Sequence, residues 1–139
     1  MDVRSVLLAD DDPFIRRVFE VSLRREGFSV RAVGDGLEAL AALESAPVDL
    51  VILDGMMPGM DGIDACRRLK ANPRTADIPV IMLTARAEAS DEEEGLAAGA
   101  IGYITKPFDP STLGRQVRDI CANLMAAGAT ERRSPQRRG

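Results

Sequence analysis

Five short runs rich in apolar and β-branched residues recur along the chain, at Ser5–Ala9, Ser29–Val33, Leu50–Leu53, Val80–Leu83 and Gly102–Thr105, and a segment of helical spacing follows each. No other feature restricts the fold as much. Parallel strands need a crossover long enough for a helix, so strand and helix in strict turn predict an α/β domain built on a parallel sheet. Most of the runs lack apolar/polar alternation, as expected of strands covered on both faces. The helical segments carry the matching stripes, Ile15, Val18, Phe19 and Leu23 in the first and Leu113, Val117, Ile120, Cys121 and Leu124 in the last. Punctuation agrees. Asp12-Pro13 offers an N-cap followed by proline at the first helical position, Asp109-Pro110 repeats the device, and Gly27 stands where the first helix should stop. Right-handed crossovers with helices on both faces then give a doubly wound five-stranded sheet.

The chain has 139 residues and is 45% hydrophobic, enough for one core and no second domain of ordinary size. One site must therefore account for function. The formal charge is −4, but the end of the chain sets Glu131 against Arg132, Arg133, Arg137 and Arg138, a balance of +3 that leaves −7 for the body. An acidic body repels duplex phosphates, so direct nucleic-acid binding by this domain is not expected. Composition places the domain at 1–126 and reads 127–139 as a disordered basic tail or a truncated linker. No run approaches the roughly 18 consecutive apolar residues of a membrane span, and a cytoplasmic protein without membrane attachment is expected. Cys66 and Cys121 lie far apart among apolar residues at helical spacing, which favours buried free thiols over a disulfide or metal pair.

In a doubly wound sheet ligands bind beyond the carboxyl ends of the strands. Those ends carry Asp10-Asp11-Asp12, Asp54, Thr84 and Lys106. Carboxylates brought within a few ångströms of one another either raise each other's pKa or hold a cation. Oxygen-only ligands favour a hard ion, and Mg²⁺, octahedral at about 2.0–2.1 Å from its oxygens, fits best, with Mn²⁺ able to replace it. The chain contains no histidine and its cysteines fall elsewhere, which argues against zinc. The ion is expected between Asp10, Asp11 and Asp54. With a cation and the Lys106 ammonium alongside, one carboxylate can attack phosphorus and become an acyl phosphate. Thr84 can donate to a phosphoryl oxygen, and Ala85 is small enough to leave the approach open. Asp12 is assigned to helix capping rather than to the metal. Asp61-Gly62 reads as a turn into the third helix, and Asp91 to Glu94 as a solvated acidic helix start.

The stretches ADDDP, LDGMMPGMDG, VIMLTA and GYITKPF, each at a strand end and in this order, resemble the four signature stretches of the response-regulator receiver (CheY-like) domains of two-component signal transduction. The resemblance spans roughly residues 4 to 126. It implies the flavodoxin-like strand order 2-1-3-4-5, Asp54 as phosphoacceptor, Asp10 and Asp11 as metal acids, and the Met56 backbone carbonyl as a further metal ligand. It also implies Thr84 as switch hydroxyl, Lys106 as phosphate partner, Tyr103 as the rotating aromatic of the switch, and a cis bond before Pro107. A chain without histidine cannot be its own phosphohistidine donor. The phosphoryl group must come from a sensor histidine kinase, a histidine phosphotransfer protein or a small donor such as acetyl phosphate. The expected readout is a shift of the face formed by the fourth helix, fifth strand and fifth helix toward a downstream target or an output domain lost from this chain. The protein is expected to catalyse only its own phosphorylation and dephosphorylation. Met56 and Arg86, two residues beyond Asp54 and Thr84, offer no group that orients a hydrolytic water, so the phosphoryl group should be long-lived.

Two other functions use some of the same residues. A haloacid-dehalogenase-like phosphatase would take Asp10 as nucleophile, Asp12 as general acid, Thr84 and Lys106. It leaves Asp54 idle and has Pro13 where that family carries a threonine or valine soon after. A flavodoxin-like flavin binder shares the topology, but three aspartates after the first strand would repel the flavin phosphate.

Overall fold

Each apolar run becomes a strand: β1 Ser5–Ala9, β2 Ser29–Val33, β3 Leu50–Asp54, β4 Val80–Thr84 and β5 Gly102–Thr105. Between and after them lie α1 Pro13–Arg25, α2 Gly36–Ser45, α3 Gly62–Ala71, α4 Ala89–Ala97 and α5 Pro110–Arg133. The structure, a computed structural model, describes residues 3–84, 89–106 and 108–133, the side chains of 89–92 and 124–133 excepted. Ala85, Arg86, the peptide bond before Pro107 and the Leu124 side chain lie outside the described residues.

All strand pairings are parallel and the order is β2-β1-β3-β4-β5, as expected. Side chains alternate across a strand, so the central strands β1, β3 and β4 each feed two cores. Val6, Leu8, Leu50, Ile52, Ile81, Leu83 and Ile104 pack against Phe19, Leu23, Leu113 and Val117 of α1 and α5. Leu7, Ala9, Val51, Leu53, Val80 and Met82 pack against Ala39 and Leu43 of α2 and Ala65, Cys66 and Leu69 of α3. Double burial explains the unbroken apolar runs: a polar residue on either side would lose its water without gaining a partner. Burying one large side chain such as Phe19 is worth about 1.5–3 kcal/mol.

Two strands run one residue beyond their apolar stretch. Asp54 pairs with Leu83 and Thr84 with Thr105, because the ladder joins backbone groups and continues whatever the side chain. α5 continues through Arg133, past the boundary at 126 drawn from composition. The caps form as expected. Asp12 accepts from the N–H groups of Phe14 (2.8 Å) and Ile15 (3.4 Å), Asp61 accepts from Asp64 N–H at 2.8 Å, and Asp109 accepts from Ser111 N–H at 2.9 Å. Gly27 follows α1 with φ +95°, a conformation a side chain would strain. Cys66 and Cys121 are buried free thiols, and burial pushes both pKa values up, which keeps them inert. Glu93 and Glu94 on α4 are exposed, as a solvated acidic turn should be.

Candidate functional site

The carboxyl edge of the sheet gathers its polar groups by register. Asp10 and Asp54 continue the same side of β1 and β3 as Val6/Leu8 and Leu50/Ile52, so both point toward the end of the α1/α5 layer. Lys106, two residues beyond Ile104, continues that side of β5. Its backbone N–H donates to the Thr84 carbonyl at 2.7 Å and fixes it against β4. Phe108, just beyond, meets Phe19 of α1 edge to face with ring centroids 4.8 Å apart, pinning the connection that carries the lysine.

Asp10, Asp11 and Asp54 each bring a carboxylate oxygen within 4.8 Å of the others, with Asp10 and Asp54 buried and Asp11 exposed. Asp54 is held at both oxygens: Met56 N–H donates to Oδ1 at 3.1 Å and Lys106 Nζ to Oδ2 at 3.2 Å. Asp10 is held everywhere but at one atom. Its N–H donates to the Val33 carbonyl at 3.1 Å, its own carbonyl accepts from Arg16 Nη1 at 2.7 Å, and Oδ1 accepts from Asp12 N–H at 2.9 Å. Oδ2 is fully buried with no hydrogen bond, and Lys106 Nζ stands 3.5 Å away.

The electrostatics follow from this crowding. Burial raises the Asp10 pKa, and the charge of Asp54 adds to the rise, against the lowering effects of the Asp12 N–H and of Lys106. Burial alone would lower the Lys106 pKa, but the Asp54 and Asp10 carboxylates outweigh it and raise the value above that of a free lysine. One ammonium thus faces two buried carboxylates. The donor set is hard oxygen, and the buried Asp10 Oδ2, which has no hydrogen bond and shares one ammonium with Asp54, is the kind of atom a small divalent cation would satisfy; these residues fit magnesium.

Thr84 and Tyr103 border one narrow gap under α4, together with Met82 and Leu96. Tyr103 is partly exposed at the sheet edge, opposite Met82 in the ladder. Asp12 accepts the first N–H groups of α1 through Oδ1, the capping role rather than the general-acid role that the phosphatase alternative requires. The backbone N–H of Met56 touches Asp54, while its side chain is among the most exposed of the large apolar ones.

Two residues at the site were not anticipated from the sequence. A Cβ on Gly62 would fall 2.3 Å from the Asp54 carbonyl oxygen, so only glycine lets the start of α3 press against the end of β3. Asp61-Gly62 was legible as a turn, but its distance from Asp54 was not. Arg16 reaches back from α1 to the Asp10 carbonyl; a basic residue so near a helix N-terminus was the available signal.

Fold and site together define a receiver-type α/β domain, with its acidic cluster at the carboxyl edge of a 2-1-3-4-5 sheet. The chain belongs to the response regulator receiver domain family, which it matches over residues 6–118. Among curated relatives, the transcriptional regulatory protein CseB of Streptomyces coelicolor is 40% identical over 131 residues, covering 94% of this chain and 55% of that protein. The DNA-binding response regulator MtrA of Mycolicibacterium smegmatis is 44% identical over 133 residues, covering 91% and 57%. The chain spans about half the length of these relatives. Among solved structures, the chemotaxis response regulator CheY4 of Vibrio cholerae superposes with a TM-score of 0.80 at 33% identity, over 86% of this chain and 99% of that one. The receiver domain of a Pseudomonas aeruginosa sensor histidine kinase, solved with a magnesium ion coordinated in its active-site cleft, superposes with a TM-score of 0.75 at 34% identity, over 85% and 97%.

Proposed function

We propose that this receiver domain accepts a phosphoryl group on Asp54 from a sensor histidine kinase or a histidine phosphotransfer protein, in a magnesium-dependent reaction. The observation that carries the reading is the Asp54 carboxylate, aligned by Met56 N–H and Lys106 and set within 4.8 Å of Asp10 and Asp11. Asp10, Asp11, Asp54 and the Met56 backbone carbonyl would hold the ion, Mg²⁺ or Mn²⁺, whose charge would stabilise the phosphoryl oxygens. An Asp54 oxygen forms the new bond to phosphorus as the bond from phosphorus to the donor's imidazole nitrogen breaks, and the imidazole keeps the electron pair. Lys106 neutralises charge gathering on the transferred oxygens, and Thr84 donates to one of them.

Transfer draws Thr84 inward, opens space for Tyr103 across the gap they share, and shifts the α4–β5–α5 face between two populated arrangements. The signal passes to a target protein or to an output domain, and residues 127–139 serve as linker or tail. The half-length match to two regulators named for transcription or DNA binding supports an output domain elsewhere, with this acidic domain making no nucleic-acid contact itself. The described residues contain no helix long and apolar enough to cross a membrane, and we assign the domain to the cytoplasm on its family's kinase partners.

Intact mass after exposure to acetyl phosphate tests the nucleophile. One phosphoryl group should add in the presence of Mg²⁺ and none after chelation, and Asp54→Asn should stay unlabelled; labelling of that variant overturns the assignment. Lifetime is a separate expectation. Met56 presents only a thioether, and Arg86 is not a base, so decay should be slow. Met56→Asn should speed it several-fold by orienting water, and an unchanged decay rate would remove Met56 from that role.

A further inference from the structure

We propose that Arg16 is a positioning residue for the divalent-cation site, setting the direction of the Asp10–Asp11 segment; this rests on the magnesium-dependent reading above. Arg16 binds two carbonyls of the acidic segment at once. Its backbone N–H donates to the Asp12 carbonyl at 3.0 Å, in the first turn of α1, and its Nη1 donates to the Asp10 carbonyl at 2.7 Å.

Helix energetics argue against a cation here. The N-terminal end of a helix carries partial positive charge, and α1 has no acidic residue in its first turn to offset an arginine. The contact with the Asp10 carbonyl, charge-assisted and short, is the compensating interaction. Glutamine or serine could not reach that carbonyl with a full positive charge. Lysine could bring the charge, but on a flexible stem without the planar, preorganised geometry of the guanidinium.

The Asp10 carbonyl also decides where the next residue goes. The peptide unit is planar, so anchoring the Asp10 oxygen fixes the plane that carries Asp11 N–H and constrains the direction in which Asp11 departs. Asp10 N–H is already held by Val33, and its Oδ1 by Asp12 N–H. With Arg16 in place, Asp10 retains one buried atom without a hydrogen bond, Oδ2, which faces only the Lys106 ammonium at 3.5 Å within the cluster that contains Asp11 and Asp54. Asp11 is exposed and has no burial to hold it, so its backbone direction is what brings it to the cluster. A partner that orients a metal ligand typically contributes about 10–100-fold to affinity when removed.

The edge beside Arg16 is not built to replace it. Gly34 lies against it, where an added Cβ would sit 3.5 Å from Arg16 Nη1 and 3.2 Å from Glu38 Oε1. Glu38 Oε1 is already engaged by Gly34 N–H at 2.6 Å. No other side chain among the described contacts reaches the Asp10 carbonyl.

The test is Mg²⁺ affinity by calorimetry in the full chain, with acetyl phosphate labelling and urea unfolding run in parallel. Arg16→Ala should weaken Mg²⁺ binding about tenfold while the folded fraction in buffer stays complete, and Arg16→Lys should recover part of the loss. Labelling by Arg16→Ala should return when Mg²⁺ is raised in proportion, because Asp54 itself is untouched. Unchanged Mg²⁺ affinity in Arg16→Ala, or equal losses in the Ala and Lys variants, overturns the role of Arg16 while labelling of the unmutated chain keeps the phosphoacceptor reading. Failure of the unmutated chain to bind Mg²⁺ overturns both.

Discussion

At the residue scale the chemistry rests on unequal treatment of three adjacent aspartates. Asp12 is spent on a helix cap, Asp11 stays in water, and Asp10 is fully buried with one oxygen lacking a hydrogen bond. Burial makes the folded chain hold the Asp10 proton more tightly than the unfolded chain, whose value lies near 3.8. The folded state therefore binds more protons in the interval above 3.8, and stability falls as pH rises through it. Without metal at pH 7, Asp10→Asn should raise unfolding stability by about 1–2 kcal/mol, the cost of a buried charge that is only partly compensated. The gain should shrink below pH 4, and Mg²⁺ binding should collapse. Thermal melts in chelator at both pH values check this; a variant no more stable at pH 7 would show that Lys106 already compensates Asp10 in full. Asp10, Asp11, Asp54, Thr84 and Lys106 were all legible as polar groups ending apolar strands. Their individual burial was not, because it depends on which neighbours cover them.

At the element scale, strands and caps could be read closely because both are local. Five apolar runs predicted five strands to within a residue, and Asp before Pro or Gly marked the starts of α1, α3 and α5. The approach of α3 to β3 is a different matter. Gly62 N–H donates to the Gly55 carbonyl at 3.2 Å, and an added Cβ would meet the Asp54 carbonyl at 2.3 Å and the Met82 methyl at 2.8 Å. Gly62→Ala must push α3 or the end of β3 aside, at a cost of about 1–3 kcal/mol typical of overpacking. Labelling should slow with it, since the displaced strand end carries the nucleophile. A lower melting temperature together with slower acetyl phosphate labelling is the expected result; an alanine variant matching the original in both would show that the contact relaxes freely. The end of α5 was the least legible boundary. Composition shifts to small and basic residues after 126 and carries no signal for where α5 ends, which is at Arg133, because composition registers solubility more directly than backbone hydrogen bonding.

At the scale of the whole molecule, function comes from bringing distant parts of one chain to a single edge. Asp10, Asp54 and Lys106 meet because β1, β3 and β5 run parallel and end together, and Thr84 arrives on β4 between them. α1 and α5 close the same face. Ser22 Oγ donates to the Pro110 carbonyl at 2.8 Å and accepts from Gly114 N–H at 3.0 Å, so the helix that follows Lys106 is bonded directly to the helix that follows Asp10. Amino-acid order alone determined the alternation of strand and helix, the double burial of the strands, the caps, and which residue types stand at the strand ends. These are properties of periodicity and local hydrogen bonding, and they survive without knowledge of neighbours. Tertiary structure alone decided that Asp10 Oδ2 has no hydrogen-bond partner, that Arg16 holds the Asp10 carbonyl, that Gly62 touches the Asp54 backbone and that Phe108 anchors the lysine loop. Each of these depends on a distance between segments far apart in the chain or on a turn of backbone, and such distances exist only once the sheet has closed its register.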